Sequence, residues 1–169
     1  MINIVLYEPE IPENTGNIMR TAVAFDATLH LIRPFGFIFD EKRLKRSGAG
    51  YIDKVKYKIY DDYEDFINQN QGKYYYFTRY GHNSPDKFNF CKTEEKIYLI
   101  FGKESTGIPK EILQGHIENC IRIPTTDGVR SLNLSNCVAI GVYEVIKQQN
   151  YAHLLTDEPF KGKDYLERE

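Results

Sequence analysis

The sequence predicts one α/β domain, built on a mostly parallel sheet with helices on both faces. Two largely apolar runs, over 2–7 and 97–101, have the length and composition of buried strands. Segments with helical periodicity alternate with these and other strand-like segments, which is typical of parallel sheets. A length of 169 residues suits one compact domain, and no repeat or low-complexity tract divides it. We expect this domain to cover 1–151 and a flexible tail to cover 152–169.

Each predicted element depends on a local pattern of residues. The predicted strands cover 2–7, 28–32, 55–59, 74–78, 97–101 and 120–123. The predicted helices cover about 15–25, 40–46, 61–68, a short segment after 109, and 133–149. In the first helix Ile18, Ala22 and Phe25 recur at helical spacing, and Asp40 is a suitable N-cap for the short basic helix.

The charge of the chain is nearly balanced, with 22 Lys and Arg against 24 Asp and Glu, for a formal net charge of −2. This balance argues against a general nucleic-acid binder. A local basic run lies between Lys42 and Lys58, opposed there by Asp53 alone. It indicates either a surface that binds nucleic acid or an ordinary solvated helix face. The N-terminal segment has no basic leader and no apolar stretch long enough for a membrane span, which favours a cytoplasmic protein.

Several kinds of chemistry lack the residues they require. The three cysteines are far apart and without C-x-x-C spacing, so neither a disulfide framework nor a zinc site is predicted. The segment 102–107 has the glycine spacing of a phosphate-binding loop, but Ile108 and Pro109 replace the required Lys and Ser or Thr. No G-x-G-x-x-G follows a strand, and the four histidines form no recognisable catalytic motif. Nucleotide hydrolysis, dinucleotide binding and metal chemistry are therefore not expected.

Three loops rich in glycine, hydroxyl and amide side chains follow predicted strands, over 9–17, 102–109 and 124–131. In an open parallel sheet, ligands bind outside the carboxyl ends of the strands. The three loops therefore predict a site for a polar small molecule, held in part by backbone groups.

The residues of these loops resemble three motifs of the SPOUT methyltransferases. EIPENTGNIMR at 10–20 is similar to the first motif, and LIFGKESTGIP at 99–109 is similar to the second. IP at 123–124, together with RSLNLSN at 130–136, is similar to the third. The motifs occur in the family's order and separation, and the similarity runs from residue 1 to about 151.

Within that class, the opening VLYEPEIP at 5–12 and DEKRLKR at 40–46 resemble the tRNA (cytidine(34)-2′-O)-methyltransferases. The resemblance implies transfer of a methyl group from S-adenosylmethionine to a ribose 2′-hydroxyl of tRNA. The substrate it implies is the wobble nucleotide 34, a cytidine or a modified uridine, of leucine tRNAs. It also implies a deep trefoil knot near the C-terminus and a homodimer. Methylation of another RNA nucleotide, or RNA binding without catalysis, stays open as an alternative.

The resemblance further implies which residues bind the cofactor and which act in catalysis, with no metal. The expected cofactor-binding residues are Phe77, Thr78, Gly102, Glu104, Gly107, Ile123, Ser131 and Leu132. The expected catalytic residues are Arg20, Asn14, Ser131 and Asn133.

Arg20 matches the family's catalytic arginine, which is often described as a general base. A guanidinium is effectively always protonated, so it is better suited to binding a phosphate and stabilising the developing oxyanion. A surface ion pair is the structural alternative for this residue.

Two surfaces are expected to form contacts with other molecules. We expect phosphates of the RNA to contact Lys42, Arg43, Lys45 and Arg46. The last helix carries the apolar stripe Leu134, Val138, Val142 and Val145, which we expect to supply part of the contact with a second copy. Packing wholly within the monomer is the alternative for this stripe.

Overall fold

The computed structural model describes residues 1–42, 53–92 and 94–168, which form a six-stranded sheet with helices on both faces. The strand order is β3-β2-β1-β5-β4-β6, and neighbouring strands pair in parallel throughout. The strands are β1 Ile2–Tyr7, β2 Thr28–Ile32, β3 Tyr57–Tyr60, β4 Lys73–Phe77, β5 Ile97–Phe101 and β6 Cys120–Ile121. The predicted fold class is confirmed. The order reverses after β3, so the next strands pair on the other side of β1.

In the described part of the chain, four α-helices connect the strands or follow the sheet. They are α1 Pro12–Ala24, α2 Tyr63–Gln69, α3 Lys110–Gln114 and α4 Leu134–Gln148. Short 3₁₀ turns occur at Pro85–Lys87, Ile117–Asn119 and Tyr165–Glu167. Asp62 caps α2, because its side chain accepts a hydrogen bond from Asp65 N at 2.8 Å. None of the helices in the described part of the chain could span a membrane.

Two hydrophobic clusters cover the two faces of the sheet. Ile18, Met19 and Ala22 of α1 belong with residues of α4 to one cluster on the sheet. Phe66 of α2 and Leu113 of α3 belong to the other cluster. Burial of apolar side chains on both faces explains why β1 and β5 are nearly continuous apolar runs.

The apolar stripe on α4 packs within this chain. Val138, Val142 and Val145 are fully buried in the cluster on the α1 side of the sheet, and Leu134 packs partly buried against it. The large apolar side chains that α4 exposes are Ile140 and Tyr143. The stripe was therefore a wrong choice for a contact with a second copy, since the sheet occupies that face of the helix.

The structure changes the bounds of several predicted elements. The first helix begins at Pro12, three residues before the predicted start, because proline is well suited to the first helical position. Strand β6 ends at Ile121, where Arg122 N donates to Asn83 O instead, so Ile123 lies in the following loop. Asp40 accepts a hydrogen bond from Lys42 N at 2.8 Å, as expected of a helix cap. The rest of that basic segment lies outside the described residues.

A buried polar network joins β1, β2 and β3 on the α2 side of the sheet. His30 is 3% exposed, and its Nδ1 lies 2.8 Å from Tyr60 Oη. Asn3 Nδ2 donates to the carbonyls of Met1 and Ile97, so Asn3 Oδ1 faces His30 Nε2, at 3.0 Å, as an acceptor. Nε2 therefore carries the proton, and a neutral imidazole satisfies the network.

Acid should destabilise the fold through His30. Burial, with a smaller contribution from the charge of Lys58, lowers the pKa of His30 from 6.5 to about 4. Between these values the unfolded chain binds a proton that the folded chain does not bind. The free energy of unfolding should therefore be highest above pH 6.5 and fall towards pH 4, with His30 contributing about 3 kcal/mol of that loss. Denaturant titrations of wild type and His30→Gln at several pH values measure this.

The exposed His82 provides the control, because His82→Gln should keep the wild-type pH dependence. If His30→Gln lost stability with falling pH as steeply as wild type, the assignment would be wrong.

Candidate active site

A cavity of about 440 Å³ opens beside the carboxyl ends of β4, β5 and β6. It is lined by the loops that follow these strands, by the start of α1 and by the start of α4. The eight residues expected to bind a cofactor all line it: Phe77, Thr78, Gly102, Glu104, Gly107, Ile123, Ser131 and Leu132. Three of the four expected catalytic residues line it, since Asn14 and Asn133 join Ser131, which was expected in both roles. The volume lies in the range that small-molecule sites usually have.

The loop after β5 folds back closely on itself at Gly102. A Cβ atom there would lie 2.2 Å from the carbonyl carbon of Gly107, so a larger residue does not fit. Gly107 has φ of 77° and its N–H donates to Lys103 O at 2.9 Å, which closes the turn. The tight turn brings backbone groups to the cavity wall, where they are available to a ligand.

The aromatic wall of the cavity depends on the close approach of α4 to two phenylalanine rings. Phe77 stacks on Phe101, with ring centroids 4.6 Å apart. Gly141 of α4 lies over these rings, and a Cβ atom there would be 2.7 Å from Phe77 Cζ. A helix residue without a side chain therefore lets the rings form one wall of the cavity.

The loop after β1 and the loop after β5 each contribute a carboxylate that accepts hydrogen bonds from the other loop. Glu104 accepts hydrogen bonds from Glu10 N at 2.8 Å, from Ile11 N at 3.3 Å and from Asn14 Nδ2 at 2.9 Å. In the other direction Glu10 accepts from Ser105 N and Ser105 Oγ, each at 2.8 Å. Ile11, the N-cap of α1, offers no side-chain cap. Glu104 therefore places a negative charge at the N-terminus of α1, where backbone N–H groups lack helical partners.

The third loop joins the same network through asparagines. Asn133 Nδ2 donates to Asn14 Oδ1 at 3.0 Å. Asn133 Oδ1 accepts from Ser135 N at 2.9 Å and from Ser135 Oγ at 2.6 Å, so Asn133 also caps α4. Asn14 is buried, and its amide thus connects Glu104 with the start of α4. All three loops are held in one arrangement by side chains far apart in the sequence.

Arg20 is the expected catalytic residue that the structure separates from the cavity. Its side chain is exposed on α1, and it is not among the lining residues. It lies six residues beyond Asn14, which is roughly 9 Å along the helix axis. Ser131 lines the cavity in the loop before α4. The N-cap of that helix is Asn133, not Ser131.

The basic run is described only in part. Lys42 is exposed, while Arg43, Lys45 and Arg46 lie outside the described residues. Their expected contacts with phosphates stay a prediction.

The thiol of Cys137 lines the cavity but is not suited to nucleophilic chemistry. Burial raises its pKa, and Sγ lies 3.8 Å from Leu132 O as a donor. The described residues contain no group of three or more His, Cys, Asp and Glu side chains that could hold a metal ion.

Sequence reasoning missed several residues of this site. Glu10 was not chosen, although it lies beside the first motif, because its partner Ser105 is 95 residues away. Arg79, Tyr80, Arg122 and Arg130 also line the cavity and were not chosen as side-chain contacts. The available signal was their position directly after strands or within the third loop.

The fold belongs to a known class of RNA-modifying proteins. Residues 1–143 match the SpoU rRNA Methylase family, and the chain belongs to this family. A relative from Listeria monocytogenes, assigned as a tRNA (cytidine(34)-2′-O)-methyltransferase, is 48% identical over 162 residues. That alignment covers 95% of this chain and 96% of the relative. A relative from Bacillus subtilis with the same assigned activity is 46% identical and covers 90% and 96% of the two chains.

Solved structures show the same architecture. The crystal structure of an RNA methyltransferase from Bacillus anthracis superposes with a TM-score of 0.88 and 48% identity, covering 91% of this chain and 98% of that one. A structure described as giving insight into the 2-OH methylation of C/U34 on tRNA has a TM-score of 0.81 and 37% identity, covering 89% and 97%. An AdoMet-bound rRNA methyltransferase from Sinorhizobium meliloti, at 24% identity and a TM-score of 0.76, shares the fold.

Replacing Glu104 by Gln should loosen the joined loops. Gln keeps one acceptor but turns an NH₂ group towards N–H donors, and charge-assisted hydrogen bonds are lost. We expect the free energy of unfolding to fall by about 2 kcal/mol. The amide protons of Glu10 and Ile11 should exchange faster with solvent, which NMR measures residue by residue. The exposed Glu118 gives the control, since Glu118→Gln should change neither quantity. Unchanged exchange at Glu10 and Ile11 in Glu104→Gln would contradict the network.

Proposed function

We propose that this chain methylates the ribose 2′-hydroxyl of nucleotide 34 of leucine tRNAs in the cytoplasm, with S-adenosylmethionine as methyl donor. Nucleotide 34 is the wobble position, a cytidine or a modified uridine. The observation that carries the proposal is the cavity formed by all three motif loops together. Membership in a methylase family and relatives assigned to this activity at up to 48% identity support it.

The cavity suits S-adenosylmethionine by its walls and by its hydrogen-bonding groups. Phe77, Ile123 and Leu132 provide apolar surface for an adenine ring, and Gly102 permits close backbone contact. Bound S-adenosylmethionine supplies a methyl group on a sulfonium, which is already activated for transfer. The protein then has to bring a ribose oxygen into line with that methyl group and to keep the reacting atoms in position.

Arg20 is proposed to act on the RNA rather than on the cofactor. Its exposed position on α1, outside the cavity wall, suits a contact with a substrate that approaches from solvent. The permanently charged fork can bind a phosphate beside the target ribose and stabilise negative charge on the 2′-oxygen. Asn14 and Asn133 maintain the position of α1 relative to the cavity, and Ser131 offers a hydroxyl at the wall.

Two further contacts complete the proposal. Lys42, Arg43, Lys45 and Arg46 are proposed to bind phosphates of the tRNA, which suits their position in a run of like charge. The chain is proposed to act as a homodimer. Because the α4 valines are buried, the contact must use other side chains, and the exposed Ile140 and Tyr143 on α4 are suited to it.

Gly102→Ala should weaken cofactor binding while the sheet still folds. The added Cβ atom would lie 2.2 Å from the backbone of Gly107, so the turn must open and its wall groups must move. We expect S-adenosylmethionine to bind more weakly by roughly tenfold or more in calorimetric titrations. Gly115→Ala is the matched control, because the nearest atom to its Cβ would be 3.7 Å away. A folded Gly102→Ala protein with wild-type cofactor affinity would exclude this cavity as the binding site.

Arg20→Ala should leave cofactor affinity nearly intact and slow the single-turnover methylation of tRNA by about 100- to 1000-fold. The reason is that its contact is made with the substrate as charge develops. Arg20→Lys separates two roles: a general base predicts partial recovery, because lysine loses its proton more easily, and bidentate phosphate binding predicts little. Arg168→Ala, in an exposed ion pair with Asp164, is the control and should react at the wild-type rate. A rate near wild type for Arg20→Ala would reject the proposed role.

A further inference from the structure

Three arginines at the cavity form no ion pair with any acidic residue that the structure describes. Among the described arginines, Arg33 pairs with Asp61 at 3.0 Å and Arg168 pairs with Asp164 at 2.7 Å. Arg79, Arg122 and Arg130 form no ion pair within the described part of the chain. All three are exposed, and all three line the cavity. On a chain of net negative charge, unpaired guanidinium groups gathered at one opening form a site for an anionic ligand.

Tyr80 lies within this group of charges. Its side chain is 61% exposed, and it also lines the cavity. The Cζ atom of Arg79 lies 4.7 Å from the centroid of the Tyr80 ring, and Arg79 also donates to the Tyr80 hydroxyl. Because most of this side chain is exposed, it contributes little to the stability of the fold. Its ring, stiffened by the neighbouring guanidinium, is available to a flat ligand.

The turn that carries Arg79 and Tyr80 is tightly held on β6. Thr78 N donates to Ile121 O at 2.9 Å, and Gly81 N donates to Thr78 O at 3.2 Å. A Cβ atom at Gly81 would lie 2.6 Å from the carbonyl carbon of Ile121, so glycine alone permits this approach. Arg122 Nη1 then donates to the carbonyl of Arg79 at 2.9 Å. The pair is therefore presented in one geometry, which lowers the entropic cost of binding.

We propose that Arg79, Tyr80 and Arg122 form an RNA-contacting corner, in which Tyr80 stacks on a base beside the target nucleotide and the two guanidinium groups bind phosphates. This inference rests on the proposed function, because it names how the same cavity opening receives its RNA. Protein sites recognise single-stranded loops of RNA by stacking bases on aromatic rings and Arg planes. Positively charged side chains beside such a ring bind the phosphates of the RNA backbone. The methyl-accepting ribose then lies between the corner and the wall at Gly102.

Arg130, on the loop before α4, also lines the cavity opening. Among the described lining residues, Glu104 carries the opposing charge, and its oxygens are taken up by N–H donors of the first loop. Glu104 forms no ion pair with Arg79, Arg122 or Arg130 within the described part of the chain. An RNA strand entering the opening meets unpaired positive charge.

The test compares binding of a leucine tRNA transcript by the full chain and its variants, using fluorescence anisotropy over a series of salt concentrations. Tyr80→Ala should weaken binding about tenfold and leave the salt slope unchanged, because stacking releases no counterions. Tyr80→Phe, which keeps the ring, should bind like wild type. Arg79→Gln and Arg122→Gln should each reduce the salt slope by about one. Tyr165→Ala is the matched control, because Tyr165 is also exposed beside a cation, Lys161, but does not line the cavity.

Calorimetry with S-adenosylmethionine on the same proteins separates RNA binding from cofactor binding. The corner is supported if the tRNA affinities change as stated and the cofactor affinities do not. It is overturned if Tyr80→Ala and Arg79→Gln bind tRNA like wild type, or if they lose cofactor affinity instead. In that result the wild-type protein still methylates tRNA, so the proposed function stands. A wild-type protein that neither binds nor methylates the transcript overturns both.

Discussion

The reciprocal hydrogen bonds of the Glu10 and Glu104 carboxylates are the interaction on which the arrangement of the site depends. Each carboxylate accepts hydrogen bonds from the other's loop, and the two residues are 94 positions apart. Asn14 extends this network to Asn133 and thereby to the start of α4. Each of the three loops follows a different strand. Without these contacts, no side-chain hydrogen bonds would fix the positions of the loops relative to one another. These polar groups are partly buried and form hydrogen bonds with one another, which restrict the motion of the loops.

The parallel sheet brings these loops together in the first place. β1 and β5 are neighbours at its centre, so the loops that follow them leave from the same edge. Strand β4 lies beside β5 and adds the turn with Arg79 and Tyr80. The helix that follows β1 then carries Arg20 away from the cavity along its axis. We propose that one side of the opening binds the cofactor and that the other receives the RNA strand.

Local patterns predicted the parts of the structure that depend on neighbouring residues. The fold class and the positions of the strands follow from apolar runs bounded by turn residues. The resemblance of the loops to known motifs led to eight residues that line one cavity, because glycines and hydroxyls at strand ends are local features.

Contacts between distant residues could not be predicted in the same way. The partners of Glu104 lie 90 to 94 residues away, and nothing in the local sequence shows which amides they are. The valines of α4 form a stripe that suits either a second copy or the chain's own core, and only the packing decides between them. The separation of Arg20 from the cavity wall also depends on how α1 is turned against the sheet.

The site is proposed to methylate a ribose oxygen of tRNA. The direct test uses two synthetic leucine tRNAs that differ at nucleotide 34, where one carries the ordinary ribose and the other a 2′-deoxyribose. Transfer of a labelled methyl group from S-adenosylmethionine by the wild-type protein is measured on both. We expect methylation of the ribose form at nucleotide 34 and none of the deoxy form. Equal transfer to both tRNAs would show that the methyl group does not go to the 2′-oxygen of nucleotide 34 and would contradict the proposed function.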